Sequence, residues 1–99
     1  MMYLKVHESY RKVVALADSE LIGKTFEEGK KQLSITENFY KGDLMEEEKV
    51  IEALKDLALD DATFNIVGKK SINTALKAEI IAKEMIAKVQ GIPFALVLL

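Results

Sequence analysis

The stretch Thr63–Ala75, TFNIVGKKSINTA, decides how the rest of the chain is interpreted. It begins with a short apolar segment typical of a β-strand, passes through Gly68 and two lysines, and reaches Ser71, a residue type that often caps a helix. A strand, a turn and a helix are therefore predicted in succession, with positive charge at the turn. Because free N–H groups at a helix N-terminus attract anions, the segment Gly68-Lys69-Lys70-Ser71 is the first candidate site.

The same segment resembles the end of a nucleotide-binding P-loop. That motif, G-x-x-x-x-G-K-[ST], requires an earlier glycine, but position 63 is Thr, so nucleotide binding with hydrolysis is poorly supported. Two interpretations stay open. In the structural one, Gly68 makes the turn, Ser71 caps the helix and both lysines are solvated. In the functional one, Lys69 and Lys70, with Lys77 further along the helix, contact phosphate or the backbone of RNA.

The composition predicts one globular domain over residues 1–99, with 49% hydrophobic and 30% charged residues and a net charge of −2. The charge is segregated along the chain. Residues 41–61 contain 3 Lys/Arg against 8 Asp/Glu, a net of −5, whereas residues 62–99 contain 5 against 2, a net of +3. A strongly basic nucleic-acid binder is excluded, but a local basic surface in the last third is expected, and the acidic segment limits its extent.

The chain lacks the residues that several classes of chemistry need. The chain has no cysteine, which excludes disulfides, thiolate catalysis and cysteine-based metal sites, and His7 is the only histidine, so no paired-His metal motif exists. We therefore predict no catalytic residue, metal site or cofactor. The early charges of the N-terminus do not suit a signal peptide, and no apolar run reaches the roughly 20 residues of a membrane span. A cytoplasmic protein without membrane contact is expected.

Hydrophobic periodicity predicts three strands in the first third of the chain. Residues 2–8 and 12–18 form an antiparallel hairpin, and the second strand is apolar on both faces, as in a central strand. The capping-box spacing of Thr25 and Glu28 predicts a helical turn. A third strand is then expected over residues 32–36.

Two helices follow from apolar stripes with helical spacing. The clearer one runs from about Asp43, its expected N-cap, to Leu59 and carries acidic residues in its first turns, where the helix dipole favours them. The second begins at Ser71, after a strand over residues 64–67.

The end of the second helix has two interpretations. In one, the apolar spacing carries the helix to Gln90, before Gly91. In the other, the helix stops near Ala82 and residues 85–90 form a strand. Residues 94–98 form a final apolar strand inside the sheet. The order β-β-(β)-α-β-α-(β)-β predicts an α+β domain, with one small mixed or antiparallel sheet and two helices, or three.

An aromatic pair precedes the acidic helix. Phe39 and Tyr40 stand just before Gly42. Such rings can form a stacking platform for nucleic-acid bases, or they can close the edge of a small core, because each buries a large apolar area.

Four segments, taken in order, resemble an uncharacterised archaeal family of small single-domain proteins that carries a domain-of-unknown-function label. They are Tyr3-Leu4-Lys5-Val6-His7, Phe39-Tyr40-Lys41-Gly42, Asn65-Ile66-Val67-Gly68-Lys69-Lys70-Ser71 and Gly91-Ile92-Pro93. The resemblance covers almost the whole chain. It implies an archaeal cytosolic protein in a setting of information processing, such as translation, and it offers no established catalytic residues to carry over.

The resemblance also bears on the C-terminal third. It favours a break after about Ile80, with residues 85–90 as a strand. In the family pattern a histidine often follows Gly-x-Pro, whereas this chain has Phe94 there. Any role of that histidine in the family does not transfer to this chain.

Three functions are consistent with these residues. The first is a non-enzymatic binding module that contacts RNA or a ribonucleoprotein through Gly68–Ser71 and Lys77. The second is a protein–protein adaptor or homodimer that uses the apolar tail 94–99 and the acidic helix; an exposed edge strand in that tail would invite self-pairing. The third is an enzyme for a phosphorylated ligand, which needs His7 or Asp61 to converge on Gly68.

Overall fold

A six-stranded sheet forms the centre of the protein in the computed structural model, which describes residues 1–98. The strands are β1 Met2–His7, β2 Val13–Asp18, β3 Thr25–Glu28, β4 Lys31–Ser34, β5 Asp43–Met45, β6 Thr63–Val67, β7 Ala87–Val89 and β8 Ile92–Val97. The helices are α1 Glu37–Tyr40, α2 Glu47–Leu59 and α3 Lys69–Lys77, and two 3₁₀ turns cover Ser19–Leu21 and Lys83–Met85. The predicted α+β class is confirmed.

The main sheet is mixed, with the strand order β5-β1-β2-β6-β8-β7. Its neighbours are antiparallel except β2 and β6, which run parallel. The predicted hairpin of β1 and β2 is confirmed. Because parallel strands need a long crossover, the chain between β2 and β6 holds the second, two-stranded sheet β3-β4 together with α1, β5 and α2.

Each face of the main sheet has its own core. On one face, strand residues such as Val14, Leu16, Phe64 and Ile66 pack under α2 and α3. On the other, alternate residues of the same strands pack under the β3-β4 hairpin and α1; this second core consists of Ala15, Ala17, Leu21, Ile35, Tyr40 and Val67. Burial on both sides explains why β2 is a continuous apolar run.

The segment at Thr25–Glu28 is a strand, so the predicted helical turn is wrong. Phe26 lies opposite Leu33 in the β3-β4 register, and both pack against the second core. Gly29 has a φ of +61° in the connecting turn. Cross-strand pairing and burial of apolar side chains therefore outweigh a capping-box pattern that consists of only two residues.

The acidic helix begins later than predicted. Asp43 belongs to β5, where Asp43, Leu44 and Met45 pair with β1. The residue before α2 is therefore Glu46, which makes no side-chain capping hydrogen bond. Pairing with the edge of the sheet satisfies the backbone of residues 43–45, which the helical pattern alone does not reveal.

In the C-terminal third, the second helix stops and a strand follows it, as one of the two interpretations predicted. Helix α3 ends at Lys77, Glu79 has a φ of +60°, and residues 87–89 form β7, so a helix to Gln90 is wrong. Gln90 and Gly91, with φ values of +50° and +77°, make the tight turn between β7 and β8. Strand β8 lies between β6 and β7, as predicted for an interior strand. Strand β7 pairs only with residues 92–94, so residues 95–97 pair with β6 on one side alone, and self-pairing of the tail stays a prediction. Leu99 lies outside the described residues.

Candidate functional site

The N-terminus of α3 is occupied by a carboxylate of the chain itself. The backbone N–H of Lys70 donates to Asp18 Oδ2 over 3.1 Å, and the backbone N–H and the Oγ of Ser71 both donate to Asp18 Oδ1 over 2.7 Å. Asp18 is only 3% exposed. The helix dipole and two N–H groups at this helix end thus already stabilise a negative charge.

The sheet register brings this carboxylate to the helix. Strands β2 and β6 run parallel with Ala17 opposite Val67, so the residues that follow, Asp18 and Gly68, lie side by side where both strands end. A β-carbon on Gly68 would overlap the carboxylate of Asp18, and Gly68 has a φ of +107°. The glycine therefore makes room for an internal carboxylate, and both its conformation and its contacts exclude a side chain.

Ser71 has a different role from the expected N-cap. Gly68 occupies the N-cap position, and Ser71, fully buried two residues inside the helix, donates its hydroxyl hydrogen to Asp18. Sequence reasoning missed Asp18. Its signal was a carboxylate at the end of the apolar strand VVALAD, because a buried acid needs donors nearby.

The three candidate lysines are all exposed, but they differ in their partners. Lys77 Nζ lies 2.7 Å from Glu47 Oε1, across the gap between α3 and α2. Within residues 1–98, Lys69 and Lys70 have no carboxylate within ion-pair distance. An anion held here would contact lysine side chains, because the backbone N–H groups of Lys70 and Ser71 already donate to Asp18.

Two surface depressions flank α3, and they differ in charge. A cavity of about 360 Å³ on the α2 side is lined by Lys70 and Lys77 but also by Glu46 and Glu47, so its side-chain charges balance. A larger groove of about 530 Å³ lies on the β8 side; its lining residues are Lys69, Ile72, Asn73, Leu76, Lys83, Ile86, Lys88 and Pro93. We call it the basic groove. No acidic residue is among those eight, and neither Lys83 nor Lys88 was a predicted site residue, because the fold brings them to α3 from separate elements.

The aromatic pair has internal partners on the other face of the sheet. Tyr40 is 7% exposed in the second core, and burial raises the pKa of its hydroxyl above the ordinary value of 10.0. Phe39 stacks on the ring of His7, with centroids 4.7 Å apart, and meets Tyr40 edge-on. His7 Nε2 is also 2.8 Å from the carbonyl oxygen of Phe39. These contacts support closure of the core edge, and stacking of bases on the pair stays a prediction.

The residues required for a phosphoryl-ligand enzyme do not converge. His7 pairs with Val13, which pairs with Thr63, so His7 lies at the end of the sheet where β6 begins. Asp61 precedes that same end, whereas Gly68 follows the opposite end of β6, about 16 Å away at the rise of a strand. The structure therefore lacks the convergence that the third function requires. Among the described residues, no group of three potential ligands could hold a metal ion, and no helix is long and apolar enough to cross a membrane.

Comparison with known proteins identifies the family but no activity. Residues 6–99 match the family described as "Protein of unknown function (DUF424)". The chain belongs to this family. The expected membership of a domain-of-unknown-function family is thereby confirmed.

The fold also matches a solved archaeal structure. The "Crystal structure of an uncharacterized conserved protein from Methanopyrus kandleri" superposes with a TM-score of 0.87 over 97% of this chain and 89% of that one, at 22% identity. At that identity the match concerns the fold. No curated protein sequence matches the chain.

Proposed function

We propose that this DUF424 protein is a non-enzymatic binding module of the archaeal cytoplasm that contacts RNA or a ribonucleoprotein through lysine side chains at the start of α3. The observation that supports this most is the state of Lys69 and Lys70. Both are exposed, adjacent, and without a carboxylate partner in residues 1–98, at the start of a rigid helix. Residues 62–99, which include this helix, carry 5 lysines against 2 glutamates, a net of +3 for that part of the sequence.

The geometry indicates how a phosphate would be held. Asp18 already accepts from the N–H groups of Lys70 and Ser71, so the ligand stays at the lysine tips, in solvent. Lys77 is available as a further contact, because an exposed ion pair such as Lys77–Glu47 is worth only about 0–1 kcal/mol and is easily exchanged for a phosphate. Contacts of this kind are independent of base sequence.

The choice of RNA among polyanions depends on the family setting. The family resemblance implies information processing in archaea, and the structural neighbour is an archaeal protein. The acidic helix α2 beside Lys77 restricts the contact to a few phosphates, which fits a component that docks on a larger particle.

The test is a binding titration with a labelled RNA hairpin and a labelled uridine oligomer at several salt concentrations. We expect Lys69→Glu with Lys70→Glu to lower the affinity for both RNAs at least about ten-fold. We also expect it to reduce the slope of log affinity against log salt by about 2, one for each phosphate contact.

The matched control is Lys49→Glu with Lys55→Glu, which makes the same change in net charge at exposed positions of α2. It should leave RNA affinity within about two-fold, since those lysines lie outside the contact surface. Equal losses in both double variants would show a net-charge effect, and an unchanged affinity in the Lys69/Lys70 variant would contradict the proposal.

A further inference from the structure

We propose that the basic groove binds an acidic amphipathic segment of a partner protein, with aliphatic side chains on its floor and carboxylates at its rim. This surface is separate from most of the RNA contact proposed above and shares only Lys69 with it. The proposal therefore goes beyond RNA binding and does not depend on it.

The floor of the groove is aliphatic and comes from rigid elements. Ile72 and Leu76 project from one face of α3, Pro93 belongs to β8, and Ile86 follows the 3₁₀ turn Lys83–Met85. Ile72 is 4% exposed, and Leu76 and Ile86 pack against the main core while keeping part of their surface in the groove. An apolar floor held by the core is prepared to receive apolar side chains without rearrangement.

Three elements contribute lysines to the groove. Lys69 begins α3, Lys83 begins the 3₁₀ turn, and Lys88 is the middle residue of β7. None of them has an ion-pair partner in residues 1–98, and no aspartate or glutamate lines the groove. A ligand with carboxylates around an apolar centre complements this arrangement in both charge and polarity.

The same features favour a peptide over RNA as the occupant. Single-stranded RNA usually stacks its bases on aromatic rings or arginine, and the eight lining residues include neither. Phosphates gain nothing from an aliphatic floor, whereas leucine or isoleucine side chains of an amphipathic segment remove it from water.

The experiment uses the whole protein and a labelled peptide in which Leu and Glu repeat with helical spacing. Two control peptides replace all Glu by Lys, or all Leu by Ser. Binding is measured by fluorescence anisotropy, and the contact surface is mapped by amide chemical shifts. We expect the Leu/Glu peptide to bind at least about ten-fold more tightly than either control and to shift the amides of residues 69–76 and 83–93.

Variants separate this proposal from RNA binding. Lys83→Glu with Lys88→Glu should lower peptide affinity about ten-fold and lower RNA affinity by less than Lys69→Glu with Lys70→Glu does. Lys70 lies outside the groove, so Lys70→Glu should lower RNA affinity and leave peptide affinity nearly unchanged. The variant Lys49→Glu with Lys55→Glu serves again as the control for net charge.

Several outcomes would overturn the proposal. One is equal binding of the Leu/Glu and Ser/Glu peptides, which would leave only non-specific attraction of acidic chains. Another is RNA that shifts the amides of residues 83–93 and displaces the peptide, which would make the whole groove part of the RNA surface. A third is self-association that Lys83→Glu with Lys88→Glu abolishes, which would identify the acidic helix α2 of a second copy as the occupant.

Discussion

Polar groups on the two sides of the first turn of α3 differ in burial and in hydrogen bonding. On the inner side, Asp18, Ser71 and two backbone N–H groups form a sealed cluster in which the donors and the carboxylate match. On the outer side, Lys69 and Lys70 reach into solvent and have no ion-pair partner among the described residues. The inner polar groups contribute to folding, and the outer ones are available for binding. A sequence motif that contains both kinds does not distinguish them.

The strongest way to break the sealed cluster is Gly68→Ala. The new methyl group would overlap the carboxylate of Asp18 at a φ of +107°. We expect the free energy of unfolding to fall by about 3–5 kcal/mol, as strain and overpacking combine. Urea denaturation of the variant measures the loss.

Gly29→Ala is the matched control, because Gly29 also has a positive φ, +61°, but nothing lies within 4 Å of its added methyl group. It should cost only about 1 kcal/mol, the ordinary cost of a left-handed residue. Equal losses at the two glycines would show that the contact with Asp18 adds nothing.

Removal of the carboxylate should have the next largest effect. Asp18→Ala leaves the N–H groups of Lys70 and Ser71 and the hydroxyl of Ser71 without their acceptor, so we expect a loss of about 2–4 kcal/mol in the free energy of unfolding. Ser71→Ala removes only one of those hydrogen bonds and should cost about 1 kcal/mol.

Asp60→Ala provides the comparison with a carboxylate that is exposed to solvent. Asp60 pairs with Lys12 at 3.2 Å, but its side chain is 58% exposed, and pairs of this kind contribute about 0–1 kcal/mol. If Asp60→Ala and Asp18→Ala had the same effect, the distinction between sealed and open polar groups would fail.

A smaller effect should appear in the pH dependence of stability through Tyr40. Its pKa is raised above 10.0 by burial in the folded state, so the unfolded chain loses this proton first as the pH rises. The contribution of Tyr40 to the free energy of unfolding is therefore complete below about pH 10. It is lost above that pH, at up to about 1.4 kcal/mol per pH unit. Tyr40→Phe should flatten that part of the profile, and urea denaturation of both proteins between pH 8 and pH 11 checks it.

Tyr10→Phe provides the exposed counterpart, because the ring of Tyr10 is entirely in solvent. Its stability profile should follow that of the unsubstituted protein. A flattening in the Tyr10 variant, or none in the Tyr40 variant, would assign the alkaline loss to other groups.

Strong local patterns predicted much of the fold. The continuous apolar run of β2, the two-residue alternation in β1 and the helical stripe of α2 each formed the expected type of element. The predictions failed where a short pattern competed with pairing at a distance. Thr25 and Asp43 both carry helix-capping signals, yet both lie in strands, because β3 pairs with β4 and β5 pairs with β1.

The candidate site shows the same limit. The sequence placed Gly68, Lys69, Lys70 and Ser71 at a strand–turn–helix junction, and they lie at one. It did not reveal the carboxylate that fills this junction, because Asp18 is 50 positions before Gly68 in the chain. Nor did it join Lys69 to Lys83 and Lys88, which depends on the end of α3 at Lys77 and on the β7-β8 hairpin.

The sequence by itself determined the class of fold, the charge segregation, the lack of cysteine chemistry and the family. These properties depend on composition, on local periodicity or on the order of motifs, all of which can be read along the chain. The tertiary structure alone decided which polar groups of the junction face inward. The parallel pairing of β2 with β6 brings a carboxylate to the start of α3, and a helix terminus with exposed donors is stabilised by whichever acceptor the fold delivers. Here that acceptor is internal, so binding is left to the lysines around it.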